Sequence, residues 1–462
     1  LKALSYIVTS PIMTHLPSPC VRATPAAQVT AAAHRRRLRS LSIAAALLAG
    51  SSAGWAIDFG PFSLTGFGKV ESVNGSNQCP DCQRLQGEDR QRIWADEIVP
   101  GTAYKTRNNT ITLIQPYLGA KFDLGAGVKL SGLLSQRWRD GREDIPKFWY
   151  DKNVALNHED YGSLRIGAMT TRAWSVADYP YGTNVGVADA WGSSGAGYGL
   201  LTRALRYTSR LLDVADGDLV LEATYDHGNR GFAVNKPRFW ELYAQFHKGD
   251  LVIDAMVQDT RNGNPQAWGH GPFTGLTPFA ADDAKLGGSG QSIAMAMARY
   301  QVDAAWEVSG GLRRNRWSGA YAVITVPGAR AQWNNMFNVD WGGSRNGVAN
   351  PGYSATSTDL MLGLRYRFAE RWTAHTGMVH LGKASTDNPS ERGQSNSARI
   401  NSLGLNYDVG LGLQVYGLAG MVSYDHVGLA PLSMPAHSSF SNVDSRVAKS
   451  GNWFGLGAVY VF

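Results

Sequence analysis

The chain has 462 residues with 44 Lys plus Arg against 37 Asp plus Glu, yet Lys2, Arg22, Arg35, Arg36, Arg37 and Arg39 all precede Asp58, the first acid. Residues 57–462 therefore carry 38 basic and 37 acidic side chains, which gives no support to a nucleic-acid partner, since such a partner needs a basic patch on the working protein. With 53 Gly, 14 Trp, 19 Tyr and 15 Phe but only 18% charged residues, the composition points away from an ordinary cytosolic α/β enzyme and toward many short strands joined by glycine-rich turns.

In chain order, the first element is a leader. Residues 34–39 read HRRRLR, residues 41–50 read LSIAAALLAG, and Gly54, Trp55 and Ala56 follow. A basic segment, an apolar core too short to span a bilayer and a small-x-small site predict export with cleavage after Ala56, leaving residues 57–462 as the mature domain. Cys79, Pro80, Asp81 and Cys82 form a C-x-x-C with no second pair and no thioredoxin-like strand-then-helix context. In an oxidising compartment this reads as a local loop disulfide between Cys79 and Cys82, with a redox or half-metal site as the alternatives.

After residue 56 no uncharged segment reaches 18 apolar residues, so no transmembrane helix is expected. What recurs is a run of roughly 8 to 12 residues in which apolar side chains alternate with small or polar ones. Residues 128–138 place Lys129, Ser131, Ser135 and Arg137 on one face and Val128, Leu130, Leu134 and Trp138 on the other. Residues 358–368 place Leu360, Leu362, Leu364, Tyr366 and Phe368 opposite Asp359, Gly363, Arg365 and Arg367. The closing run carries Phe454, Leu456, Ala458, Tyr460 and Phe462 on one face. Period two with one continuously apolar face is the pattern of a strand that meets lipid outward and water inward.

Such runs fall near 62–72, 111–123, 126–138, 150–158, 162–172, 203–209, 217–227, 238–247, 250–260, 291–301, 304–317, 358–368, 372–383, 397–408, 411–424 and 452–462, 16 in all. Tight turns such as Asp123 to Gly127, His247 to Asp250 and Asp408 to Gly410 alternate with long polar segments such as 73–110, 173–202, 261–290, 318–357 and 425–451. The fold class is therefore all-β: a closed transmembrane antiparallel β-barrel with short periplasmic turns and long extracellular loops. Two further strands within 318–357 would make an 18-stranded alternative. Tyr117, Phe122, Trp138, Tyr366, Phe368, Trp372, Tyr407 and Tyr460 fit girdles at the membrane interfaces.

The order of several short pieces resembles the Gram-negative general porin family, in particular its homotrimeric 16-stranded branch. These pieces are Leu64-Thr-Gly-Phe-Gly68, Asn157-His-Glu-Asp-Tyr-Gly-Ser-Leu-Arg-Ile-Gly167, Arg206-Tyr-Thr-Ser209, Gly404-Leu-Asn-Tyr-Asp-Val409 and the terminal Gly455-Leu-Gly-Ala-Val-Tyr-Val-Phe462. The acidic Pro-Glu-Phe-Gly-Gly-type stretch of many third loops is replaced by Asp178-Tyr-Pro-Tyr-Gly-Thr-Asn184. The resemblance implies passive diffusion of small polar solutes and ions, and a third loop, about 172–202, folded inward as a constriction carrying Asp178, Tyr179, Tyr181, Asp189 and Trp191. It also implies a C-terminal assembly signal at Phe462 read by the outer-membrane assembly machinery, a homotrimer, and contact with lipopolysaccharide through divalent cations and acidic side chains.

By alternation, Lys129, Arg137, Arg165, Arg206, Arg313, Arg365 and Arg367 face inward, against Glu222, Asp226, Glu241, Glu307 and Asp408. The better-populated basic side predicts a mild anion preference. A substrate-selective channel for a sugar, carboxylate or small aromatic compound is the alternative. Close packing between protomers is expected at Gly66 and Gly68 or at Gly455 and Gly457. Eight histidines (His158, His227, His247, His270, His375, His380, His426 and His437) lie in the mature segment, but no G-x-S-x-G and no H-E-x-x-H accompanies them, so neither an enzyme nor a cofactor or metal is expected.

Overall fold

The computed structural model describes residues 57–75, 108–139, 142–143, 150–228, 231, 233–263, 272–273, 289–319, 344–345, 348–349, 354–387, 396–426, 431–433 and 449–462. The expected leader and the Cys79 and Cys82 pair lie outside the described residues.

Sixteen strands form one closed antiparallel barrel. In chain order these are β1 Phe62–Gly75, β2 Asn108–Gly125, β3 Val128–Ser135, β4 Asp151–His158, β5 Gly162–Thr170, β6 Leu200–Thr208, β7 Gly217–Asp226 and β8 Arg238–Lys248. The wall continues with β9 Leu251–Arg261, β10 Ser289–Gln301, β11 Trp306–Gly319, β12 Ser354–Ala369, β13 Trp372–Leu381, β14 Ala398–Gly410, β15 Leu413–Tyr424 and β16 Ser450–Val461. Each pairs antiparallel with its neighbour in sequence, and β16 closes on β1 from Phe67↔Val461 to Gly75↔Trp453. Past that ladder, Gly66 and Phe462 exchange both backbone hydrogen bonds, at 2.7 and 2.9 Å. Closure leaves no sheet edge, as hydrocarbon requires, because an unpaired backbone group there has no water to turn to.

The 18-strand alternative does not hold. Trp306↔Tyr366 through Ser318↔Ser354 pair β11 directly with β12, so the wall runs from one to the other without a gap for further strands.

Alternation sets the two faces as expected for β12. Leu360, Leu362, Tyr366 and Phe368 are 37–50% exposed on the outside, while Asp359 and Met361 are fully buried within. At the short-turn end the outward aromatics touch: Trp306 stacks on Tyr366 at 4.1 Å, and Trp372 lies 6.3 Å from Phe368 and 4.7 Å from Tyr407. Rings at this boundary keep their apolar faces in acyl chains and their polar edges in the headgroup layer. Tyr117 is an exception to the girdle reading. It is only 4% exposed and points into the barrel, while its neighbour Leu118 is 41% exposed on the outside.

Gly455 and Gly457 also differ from expectation, because they face inward, where an added Cβ would meet Val73 and the Tyr416 ring. Gly66 and Gly68 remain on the outer face, with Phe462 lying over Gly66 and nothing within 4 Å of Gly68. The tight turns rely on backbone freedom. At Gly410-Leu411-Gly412 all three φ values are positive, and a Cβ on Gly412 would sit 2.2 Å from the Val461 carbonyl.

Candidate channel constriction

Between β5 and β6, residues 171–199 do not leave the barrel but fold down inside it. Thr171 starts the segment by accepting the Trp174 N–H at 3.3 Å, capping the short helix α1 Arg172–Val176. Wider turns through Tyr179 and Pro180 lead to a second short helix, α2 Ala188–Trp191.

A sequence of contacts ties this segment to the wall from β7 to β14. Arg172 makes two hydrogen bonds to Glu222, at 2.5 and 2.8 Å, while Glu241 accepts the backbone N–H of Arg172 at 2.8 Å and of Ala173 at 3.0 Å. The Tyr181 hydroxyl donates to Asp254 at 2.8 Å, and burial together with that carboxylate pushes its pKa up, so it stays a neutral donor. Val185 reaches furthest, its carbonyl accepting from Ser402 at 2.5 Å. It lies over Gly363 and Gly377, where an added Cβ would come within 2.9 and 2.5 Å of it. Glycine there is a matter of space, since the Val185 side chain over Gly363 and the Val185 carbonyl over Gly377 stand where a side chain would go.

The returning limb is held by Arg313, which donates to the carbonyls of Trp191 at 2.8 Å and Ser194 at 3.0 Å and to the Ser194 hydroxyl, and forms an ion pair with Asp359 at 2.8 Å. Its guanidinium also stands 4.8 Å from the Trp191 ring. Asn315 and Gln258 accept the backbone N–H groups of Ala196 at 3.1 Å and Tyr198 at 2.7 Å. Beneath these polar anchors, Val176, Val187, Ala190 and Trp191 pack against inward Met256, Met297 and Met361. Buried charges are tolerable here because each is matched and hydrogen-bonded.

The residues singled out from sequence therefore separate by position. Tyr181 and Trp191 are fully buried against the wall, Asp189 and Tyr179 nearly so, and Asp178 is half-buried, accepting from Thr183 at 3.3 Å. Among the inward basics, Arg206 lies 3.8 Å from Glu241, and Arg365 lies 3.3 Å from Glu307. Lys129 sits at the short-turn rim beside Glu159 at 3.4 Å, and Arg367 is half-buried near that end. Arg137 and Arg165 stand on the other half of the wall. Arg137 donates to Gln115 at 2.8 Å with its guanidinium 4.7 Å from the Tyr150 ring, and Arg165 donates to Asn153 at 2.5 Å.

Sequence reasoning placed Glu222 and Glu241 inside but missed their role as loop anchors, and it missed Arg172, Asp254, Gln258 and Asn315 altogether. Inward parity was a usable signal for the last three. Nothing local, however, says which wall residues a loop 60 or 119 positions away will meet.

A 16-stranded antiparallel barrel with an apolar outer belt and a loop folded into its interior has the architecture of integral outer-membrane porins. No known protein family matches the sequence and no curated protein does. Solved structures match the fold. An anion-selective porin from Comamonas acidovorans superposes with TM-score 0.54 at 11% identity, over 87% of this chain and 99% of that one. OmpT of Vibrio cholerae gives 0.51 at 12%, over 88% and 100%, and Salmonella typhi OmpF gives 0.51 at 12%, over 88% and 100%.

Proposed function

We propose that the protein is a passive diffusion channel for small hydrophilic solutes and ions across the outer membrane, with a weak anion preference, working as a homotrimer. The observation that carries this reading is the anchored interior loop. Its polar and ionic attachments lie on β7 to β14, while Trp174 at its start packs against Tyr150 at 6.2 Å and Arg137 at 5.8 Å, and the wall at β1 to β5 presents Lys69, Gln115, Arg137, Asn153 and Arg165 toward the loop. Solutes pass between the loop and that wall. A lumen of mixed, largely matched charge favours hydrated solutes of either sign, and Arg137, which donates to Gln115 and stands over the Tyr150 and Trp174 rings, and Arg165, which donates to Asn153, give the residual positive bias.

Tyr181 and Trp191 are bonded to Asp254 and Met297 of the wall and Tyr179 is 5% exposed, which supports the non-selective reading over a channel lined by stacking aromatics. Nothing in this reading calls for an enzyme or a cofactor. Under it, residues 1–56 are a cleaved export leader, Cys79 and Cys82 form a loop disulfide, and the assembly machinery reads Phe462.

Single-channel recording of the purified protein in a planar bilayer, with reversal potential under a salt gradient, tests the proposal. Large ohmic steps closing in threes with a small anion-directed reversal are expected. Brief small openings blocked by one solute class would replace it with the substrate-selective channel, and absence of conductance with a closed structural barrel.

A further inference from the structure

Beside the tip of the interior loop, Tyr416, Gly457 and Glu71 share one inward-facing rung of the barrel. Tyr416 of β15 pairs in register with Gly457 of β16, and Gly457 with Glu71 of β1. Two strand spacings of about 4.8 Å each separate the tyrosine backbone from that of the glutamate. A tyrosine crosses such a gap only by lying along the wall, and this one does, its hydroxyl donating to Glu71 Oε2 at 2.7 Å. The ring passes over Gly457, where an added Cβ would stand 2.3 Å from the ring carbon Cζ and 2.4 Å from the hydroxyl oxygen. Glycine at this position is the seat that lets the ring lie flat.

The same carboxylate is held from a second side. Lys69, on the same face of β1, places Nζ 3.5 Å from Glu71 Oε2 and 6.0 Å from the Tyr416 ring. The other oxygen, Oε1, has no hydrogen-bond partner among the described residues, so the tyrosine hydroxyl and the lysine fix how the carboxylate is turned. The place along the channel matters as well. Leu418 is the next inward residue of β15 toward the long loops, and Gly186 at the loop tip stands over it, a Cβ there falling 3.3 Å from Leu418 Cδ1. Tyr416 is thus the first inward side chain of β15 below the point where the loop rests.

We propose that Tyr416 is a specificity-determining residue of the channel: laid flat on Gly457, its ring sets the free width beside the loop tip, and its hydroxyl keeps Glu71 turned away from passing anions. The inference rests on the proposed diffusion path between the loop and the facing wall. It adds a size limit that belongs to the wall and not to the loop, and it reconciles a carboxylate on that wall with the proposed anion preference.

The test compares variants of the purified protein with the wild type in planar bilayers, reading single-channel conductance, reversal potential and the exclusion of polyethylene glycols of graded size. Tyr416→Ala is expected to raise conductance and to admit larger polymers. Gly457→Ala lifts the ring into the passage and is expected to lower conductance. Combined with Tyr416→Ala it is expected to match Tyr416→Ala alone, because the added methyl acts only through the ring. Tyr416→Phe keeps the width, so its conductance should stay at the wild-type value while the reversal potential moves toward cations. Unchanged conductance and polymer exclusion in Tyr416→Ala, or an equal loss from Gly457→Ala with and without the ring, overturns the size limit. An unmoved reversal potential in Tyr416→Phe overturns the role of the hydroxyl. The Tyr416 variants decide the matter even where Gly457→Ala fails to assemble. A wild type that does not conduct overturns the proposed channel itself, whereas a conducting wild type with silent variants overturns this inference alone.

Discussion

The two halves of the barrel wall use charge differently. From β7 to β14, carboxylates and amides are buried and committed: Glu222, Glu241, Asp254, Gln258, Asn315 and Asp359 each hold the loop directly or hold a residue that does. From β1 to β5, the inward residues are partly exposed or paired locally along the wall, as Lys69 is with Glu71 at 3.5 Å and Arg165 with Asn153. Under the proposed function, one half is a scaffold for the constriction and the other is its working surface. The same residue types therefore carry different consequences when changed, stability on one side and selectivity on the other.

The largest effect belongs to Arg313. The substitution Arg313→Met leaves Asp359 buried without its cation and releases the carbonyls of Trp191 and Ser194. Breaking one side of a buried pair costs about 3–5 kcal/mol. A drop of that size in urea unfolding, together with noisier and larger single-channel steps, is expected. A change below about 1 kcal/mol with quiet channels would remove the scaffold half of the comparison.

Gly377→Val acts on the loop without touching charge. The added Cβ would fall 2.5 Å from the Val185 carbonyl, which is backbone and moves only with the loop. Overpacking of this kind costs about 1–3 kcal/mol, and the displaced loop is expected to raise conductance and its open-state noise. An unaltered conductance would mean that the tip of the loop does not set the opening.

Tyr181→Phe is milder because Asp254 keeps Tyr243 at 2.5 Å and Gln245 at 2.8 Å as partners. Loss of one net hydrogen bond is about 1 kcal/mol. The variant is expected to unfold at slightly lower urea with unchanged ion selectivity. A selectivity shift would place Tyr181 on the channel side after all.

The strand count and the fold class were legible because period-two patterning repeats locally and each strand carries its own record of which face meets lipid. The face of an individual residue was legible only where the alternation is unbroken. Tyr117 was misplaced because an aromatic near the expected interface looks the same on either parity, and Gly455 and Gly457 because glycine carries no polarity to betray its face. The loop was legible as a segment, from its length and its place after the fifth strand. Its anchors were not: Arg172 meets Glu222 across 50 residues, and Ser402 meets Val185 across 217. That information resides in the closure of the barrel, which no window of sequence contains.

The smallest structural effect is expected at Arg165, where the comparison becomes sharpest. Arg165 stands on β5 beside Arg206 in register, and the two face different fates: Arg206 lies near Glu222 and Glu241 on the loop-bearing side, at 4.0 and 3.8 Å, whereas Arg165 donates to a neutral amide. Replacing Arg165 by Gln keeps a donor for Asn153 and removes one charge from the working surface, so unfolding should change by less than about 1 kcal/mol. The reversal potential should move toward cations, and more so at low salt, where screening is weak. Arg206→Gln should show the opposite profile, because it strips a cation from buried Glu222 and Glu241 and so lowers stability with little movement of the reversal potential. If the two variants behave alike in both measurements, position on the wall does not decide what a lumen arginine does, and the division between scaffold and working surface fails.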